Sequence, residues 1–220
     1  MATLEAVQQQ GSEAVCLSAD LSDESSVSEF SDRCWSSLGT IDTWVNNAGE
    51  DVLTGDKTTA SFQEKLRRLF DVDVIGTIAL SRLVAERMLD QTLTLPPSIT
   101  FIGWDQAPFG MEGDAGQMFA PVKAAVMSFA QSLAQTLAPN VRVNTIAPGW
   151  IQTAWGQDQP VGDYWDQRAK GQSLRERWGS AEDVASAIAF VCKPSNDFIN
   201  GQVIEVNGGW NRKYLEHAKK

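Results

Sequence analysis

Acidic side chains and one lysine are the groups in this chain that could move protons. Asp105, Glu112 and Asp114 follow a short apolar strand candidate, Asp73 falls on a neighbouring predicted helix, and Lys123 lies on another. Paired carboxylates near a lysine can perform general acid–base chemistry, because one group can hold a proton that another gives up. The alternative interpretation is an acidic, solvated loop, which agrees better with a net charge of -10.

The overall composition excludes several classes of function. The 18 basic and 28 acidic residues make nucleic acid and anionic membranes poor partners. Three widely spaced cysteines, Cys16, Cys34 and Cys192, fit reduced thiols in a cytoplasmic protein and form no metal-ligand cluster. The single histidine, His217, lies in a charged C-terminal tail, so no histidine metal site is expected. The sequence shows no membrane span and no signal-peptide core.

The candidate residues surround a predicted strand–helix–strand unit. A β-rich run at 99–102 is followed by an amphipathic helix from about Gly116 to Ala138, and then by a second β-rich run at 141–146. Short connections make this a βαβ crossover, the unit that builds parallel sheets. Ligands of such sheets sit at the carboxyl ends of the strands, here near 103–106 and 148–153.

The remaining pattern predicts one α/β domain over 1–220. It contains further helices and strands, and a polar stretch at 152–172 reads as a loop with short helices. Ser22 or Asp23 is expected to cap the second helix. The predicted helices cover 3–10, 23–39, 61–90 and 182–192, and the predicted strands cover 14–18, 44–46 and 202–206.

Four separated segments resemble the short-chain dehydrogenase/reductase family. Asn46-Asn47-Ala48-Gly49 looks like its NNAG motif, and 142–153 resembles the segment after its central helix. Residues 177–185 and 200–209 are similar to the start of its penultimate helix and to its last strand with a glycine turn. The resemblance spans essentially the whole chain and is closest to the 3-oxoacyl-carrier-protein-reductase-like branch. It implies a Rossmann-type open parallel sheet that binds a dinucleotide.

The beginning of the chain departs from that resemblance. The family begins with a βαβ unit whose glycine-rich loop places a pyrophosphate on a helix N-terminus. No Gly-x-x-x-Gly-x-Gly stretch occurs in this chain, which reads as an N-terminally truncated member lacking the first βαβ unit. The strand expected at 14–18 must then close against Trp44-Val45, remain unpaired, or borrow a partner.

The positions that carry the family's catalysis are mostly substituted. The resemblance implies a tyrosine as general acid/base, a lysine four residues later on the same helix face, a serine and an asparagine. Lys123 occupies the lysine position, whereas Phe119 replaces the tyrosine, Trp104 the serine and Asp73 the asparagine. The active site is therefore expected to be degenerate, with a lone Lys123 better explained as a solvated or ion-paired side chain than as a catalyst.

The same resemblance places vestigial cofactor contacts along the strand ends. Asp20 matches an adenine-contacting aspartate but could instead cap the next helix, and Thr153 matches a nicotinamide contact but could be a plain loop residue. Trp104, Phe119, Trp150 and Trp155 either fill the vacated pocket, which we favour, or stack on a ligand. The full set of cofactor positions is Asp20, Asn46, Asn47, Ala48, Gly49, Lys123, Pro148, Gly149 and Thr153.

Two functional hypotheses follow. In the first, the chain is a non-catalytic family member that needs no cofactor and acts in a homo-oligomer or as a partner subunit. The resemblance implies assembly through the helices at 61–90 and 116–138 and the last strand, with Phe62, Leu66, Phe129 and Leu133 on the associating faces. In the second, it is a ketone or 3-oxoacyl reductase that uses NAD(P), or an enzyme with altered acid–base chemistry at Asp73, Asp105 and Lys123. No metal is expected in either.

Overall fold

A computed structural model describes residues 2–157 and 159–217. Its strands are β1 (Thr43–Asn46), β2 (Ser98–Ile102), β3 (Arg142–Pro148) and β4 (Val203–Val206). Its α-helices are α1 (Ala2–Gln9), α2 (Glu24–Leu38), α3 (Phe62–Leu69), α4 (Thr77–Asp90), α5 (Gly113–Leu137), α6 (Ala154–Gln157), α7 (Tyr164–Gln172), α8 (Ala181–Cys192) and α9 (Arg212–His217). Two 3-10 helices cover Gly55–Thr59 and Pro194–Asn196, and a π-helix covers Phe70–Gly76.

The strands form one parallel sheet in the order β1-β2-β3-β4. In its register Trp44 lies opposite Ile99, and Ile99 lies opposite Val143. Nearly every residue of β2 and β3 is buried, since helices cover the sheet. The predicted Rossmann-type parallel sheet is confirmed, and the carboxyl ends of its strands meet at one edge.

The strand predicted over 14–18 is wrong, because these residues pair with no neighbouring strand among those described. A strand requires hydrogen-bonding partners, and an apolar pattern does not supply them. Leu17 nevertheless packs against the hydrophobic core, so the apolar pattern at 14–18 indicates burial and not a strand. Within the described part of the chain β1 pairs with β2 alone, and a cleft of about 250 Å³ lies between the side chains of β1 and those of Leu17 and Leu21.

The helical stretch predicted over 61–90 contains a segment of different geometry. A capping box between Ser61 and Glu64 starts α3, and α4 ends at Asp90, but residues 70–76 between them are π-helical. Gly76 ends this segment where a Cβ would lie 2.1 Å from the Leu21 carbonyl oxygen, so the close approach requires glycine. The π-helix places the side chain of Asp73 in the interior.

The helix faces predicted to join two copies are largely used within the chain. Leu133 on α5 is buried, and Phe62, Leu66 and Phe129 pack against the same hydrophobic core. The α3 and α5 helices contact each other, which explains why both carry apolar stripes. No helix in the two described ranges is long and apolar enough to cross a membrane.

Candidate active site

Lys123 and Asp73 form an ion pair at the centre of the candidate site. The Lys123 Nζ on α5 lies 3.2 Å from Asp73 Oδ2 on the π-helix, and only 3% of Asp73 is exposed. The other oxygen, Oδ1, accepts a hydrogen bond of 2.7 Å from the Glu50 backbone N–H. A Cβ on Gly49 would lie 3.0 Å from Asp73 Oδ2, so the turn after β1 closes tightly over this carboxylate.

Phe119 lies one helical turn before Lys123, on the same face of α5. Its ring is partly buried against the core and also lines the site. Trp104, two residues after β2, lines it as well. Neither side chain is a proton acid near neutral pH, so Lys123 has no titratable hydroxyl beside it at these two positions.

A pocket of about 750 Å³ opens at the carboxyl ends of β1, β2 and β3. Its lining is mainly apolar, and the polar side chains in it are Asn47, Lys123 and Thr153. We predicted that the aromatic residues would fill this space, and that prediction is wrong because the pocket remains open. The aromatic residues form its walls instead: Trp104, Phe119, Trp150, Trp155, Trp165 and Trp178.

The tryptophan walls are fixed by ring contacts and hydrogen bonds. The ring of Trp150 lies 5.7 Å from that of Trp165 and 5.9 Å from that of Trp178. Trp150 Nε1 donates to Gln172 at 2.7 Å, and Trp178 Nε1 donates to Asp166 at 2.9 Å. The sequence indicated that the stretch at 152–172, which contains Trp165, lies over the site, but it did not indicate that Trp178 lines the pocket.

A second network ties α7 to the start of α5. Tyr164 donates a hydrogen bond of 2.6 Å to Glu112, and Arg168 forms an ion pair with the same carboxylate. The Arg168 guanidinium also lies 5.8 Å from the Trp150 ring centre and 5.7 Å from that of Trp165. Glu112, predicted as a solvated or proton-transferring acid, therefore holds the helix that carries Trp165.

Asp105 lies in a different environment from the Asp73–Lys123 pair. It is 2% exposed, and Oδ2 accepts a hydrogen bond of 3.0 Å from Asn207, which also donates to Glu205. Burial raises the pKa of the Asp105 carboxyl to about 7, and the charge of Glu205 adds to this. The solvated-loop interpretation is thus wrong for Asp105, whereas Asp114 is exposed as that interpretation predicts.

The predicted cofactor positions divide into three places. Pro148, Gly149 and Thr153 line the large pocket together with Lys123 and Asn47. Asn46 and Ala48 line the smaller cleft beside β1. Asp20 accepts hydrogen bonds from the backbone N–H and the hydroxyl of Ser22, while the cap of α2 is Asp23, which accepts from Ser26 at 2.8 Å.

These residues fit a NAD(P) molecule poorly. A pyrophosphate needs several backbone N–H donors, usually at a helix N-terminus. The α5 helix begins at Gly113, but its N-cap is Glu112 and its first turn contains Asp114, and these two carboxylates disfavour a phosphate there. The Lys123 ammonium that would face the ribose is paired with Asp73. In the described parts of the chain, no group of three or more His, Cys, Asp and Glu side chains is placed to hold a metal ion.

Comparison with known sequences assigns the chain to a family. Residues 1–211 match the family model described as enoyl-(acyl carrier protein) reductase. The chain is 32% identical over 197 residues to the 3-oxoacyl-[acyl-carrier-protein] reductase FabG of Aquifex aeolicus, covering 86% of this chain and 73% of that one. It is 30% identical over 204 residues to the 7alpha-hydroxysteroid dehydrogenase of Escherichia coli, covering 92% and 76%. The chain belongs to the short-chain dehydrogenase/reductase family of oxidoreductases.

Solved structures agree with this assignment. The 3-oxoacyl-[acyl-carrier protein] reductase of Brucella melitensis in complex with NAD superposes with a TM-score of 0.82 at 26% identity, covering 94% of this chain and 81% of that one. A 7 alpha-hydroxysteroid dehydrogenase complexed with NADH and 7-oxo glycochenodeoxycholic acid gives a TM-score of 0.80 at 28% identity, covering 95% and 79%. The fold and the family are therefore the same as in these enzymes.

Proposed function

We propose that this chain is a family member that does not perform NAD(P)-dependent hydride transfer on its own, and that it acts as a non-catalytic or partner subunit. One observation carries the proposal. The side chain one turn before Lys123 is that of Phe119, and the Lys123 ammonium is paired with Asp73. In the family chemistry that the resemblance implies, the lysine favours ionisation of a tyrosine; here it has no phenol to act on.

The reduction of a ketone requires a proton donor. A ketone that is reduced to an alcohol gains a hydride at carbon and a proton at oxygen, and a positioned general acid typically contributes about 10²–10⁴-fold to the rate. Asn47 and Thr153, which line the pocket, do not titrate near neutral pH. Lys123 can donate a hydrogen bond, but giving up its proton would leave the buried Asp73 carboxylate without a cation.

We expect no cofactor to be bound at useful affinity. Titration calorimetry with NADH and with NADPH at millimolar concentration tests this directly, and we expect no saturable heat. The contacts at Asn47 and Thr153 cannot replace the backbone donors of a pyrophosphate site. Saturable binding tighter than about 100 μM, which corresponds to roughly −5.5 kcal/mol, would overturn this part of the proposal.

The second candidate is an oxidoreductase of the family, a ketone or 3-oxoacyl reductase with an altered proton donor. Two observations favour it: the relatives in the comparison are reductases and dehydrogenases, and Asn47, Lys123 and Thr153 line the pocket. Acid–base chemistry shared by Asp73, Asp105 and Lys123 receives less support, because Asp105 bonds to Asn207 while Asp73 bonds to Lys123. Turnover of ketones by the unmodified chain would favour this candidate.

The proposed subunit role includes the assembly of several copies of the chain. Among the described strands, β4 pairs with β3 alone and thus forms an edge of the sheet. Phe190 on α8 is 51% exposed, and Phe198, just before β4, is fully exposed. An open strand edge and exposed apolar side chains of this size each favour contact with another protein surface.

A further inference from the structure

We propose that the tryptophan-walled pocket binds a flat aromatic ring that carries one hydrogen-bond-accepting group, such as an aryl ketone, and that it does so without NAD(P). This inference deepens the proposed function, because it gives the pocket an occupant that is held without being reduced. The pocket volume of about 750 Å³ lies within the range of roughly 300–1,000 Å³ in which proteins hold small molecules.

The indole groups favour an aromatic ring in the pocket. The N–H groups of Trp150 and Trp178 already donate to Gln172 and Asp166, so these walls do not require an acceptor from the ligand. The four indoles of Trp150, Trp155, Trp165 and Trp178 contact one another with centroid separations of 5.7–6.5 Å and are held in place by these contacts. Fixed aromatic walls reward a rigid, flat ligand, because ring–ring contacts add to the energy of apolar burial.

The charge of the lining favours a neutral ligand. Lys123 is the charged side chain among the residues that line the described pocket, and Asp73 neutralises it at 3.2 Å. An anionic ligand would have to compete with Asp73, and the chain as a whole carries a net charge of -10. A cationic ligand would meet Lys123 without a lining carboxylate to pair with.

The lining also supplies the donors that an acceptor group needs. Asn47, Lys123 and Thr153 bring amide, ammonium and hydroxyl hydrogens to the pocket. A carbonyl oxygen of the ligand can accept a hydrogen bond from one of them, while the attached ring contacts the indoles. An aryl ketone therefore matches both the polar and the aromatic residues of the lining, whereas an alkyl ketone matches only the polar ones.

The test compares two neutral ketones of equal carbon number in the absence of cofactor. Calorimetric titration of the full chain with 2-acetylnaphthalene should show saturable binding about tenfold tighter than with 2-dodecanone, because only the first can stack on the indoles. Trp104→Leu and Trp155→Leu should each weaken 2-acetylnaphthalene at least about fivefold and leave 2-dodecanone nearly unchanged. Phe109→Leu, which removes an exposed aromatic ring that does not line the pocket, is the matched control and should change neither affinity.

Three outcomes overturn this inference: no saturable heat from 2-acetylnaphthalene with protein that melts cooperatively, equal affinity for the two ketones, or tryptophan variants that bind like the control. Reduction of ketones with added NADPH would instead overturn the proposed function and leave the binding comparison standing. The two failures are therefore distinguishable.

Discussion

The ammonium of Lys123 lies 3.2 Å from the carboxylate of Asp73, and this pair joins α5 to the π-helical segment. Both groups are largely removed from water, and Asp73 also accepts the Glu50 N–H. In the family chemistry that the resemblance implies, this lysine acts beside a tyrosine. In this chain the Lys123 ammonium is paired with Asp73 instead. The pair stabilises the site while it occupies the group that catalysis would need.

Removal of one partner should therefore destabilise the protein. Lys123→Met leaves the Asp73 carboxylate buried without a cation, and we expect a loss of about 3–5 kcal/mol in the free energy of unfolding at neutral pH. Urea denaturation followed by fluorescence measures it. Adding Asp73→Asn to that variant should recover most of the loss, since an amide still accepts the Glu50 hydrogen bond; equal stability of the single variant and the native chain would contradict this.

Asp105 should make the stability depend on pH. Its pKa is about 7 in the folded chain against an ordinary 3.8, so the folded state keeps a proton that the unfolded state releases. Stability is therefore lost as the pH rises from about 4 to about 7 and is constant above, for a total of about 4 kcal/mol from this group. Glu205, which shares the Asn207 amide, adds to the cost of the charged form.

The test compares Asp105→Asn with the native chain in urea at about pH 5 and about pH 8. The native chain should lose about 2–3 kcal/mol relative to this variant between the two conditions. Asp114→Asn is the matched control, because Asp114 is exposed. The stability of this variant should change between the two pH values as much as that of the native chain. Parallel pH dependence of the native chain and Asp105→Asn would show that Asp105 is not held protonated.

Self-association is expected from the open edge of β4 and from the exposed side chains of Phe190 and Phe198. Light scattering at micromolar concentration should give a mass of at least twice the chain mass of 24.0 kDa. The double variant Phe190→Ser, Phe198→Ser should lower this mass, whereas Val161→Ser, at a site that is also exposed, should not. A cooperatively melting monomer of the native chain would remove the support for a subunit role.

The sequence was sufficient for the parts of the fold that local patterns determine. The strands at 44–46, 99–102 and 141–146 were predicted within two residues because apolar and β-branched residues mark them. The stretch at 14–18 has the same pattern, but pairing is a property of the neighbours and not of the segment. The π-helix at 70–76 was not predicted either, because the apolar spacing over 61–90 is that of one continuous helix.

The site was predictable in its position but not in its contacts. Family motifs placed Phe119 and Lys123 on one face of the central helix and Trp104 just after a strand, and in the structure all three line the pocket. The burial of Asp105 was not foreseen, since an acidic run in an acidic chain reads as solvated. The open pocket was missed for a related reason: counting large side chains does not show whether they fill a cavity or surround it.

The most direct test of the central claim is the reduction of carbonyl substrates by the purified chain. The oxidation of NADH and of NADPH is followed with a panel of ketones and 3-oxoacyl thioesters, using the native chain, Lys123→Met and Phe119→Tyr. The account predicts no rate above the protein-free background for any of them, because Phe119→Tyr restores the phenol while Trp104 still occupies the serine position. Turnover by the native chain that is proportional to protein concentration and is abolished in Lys123→Met would contradict it.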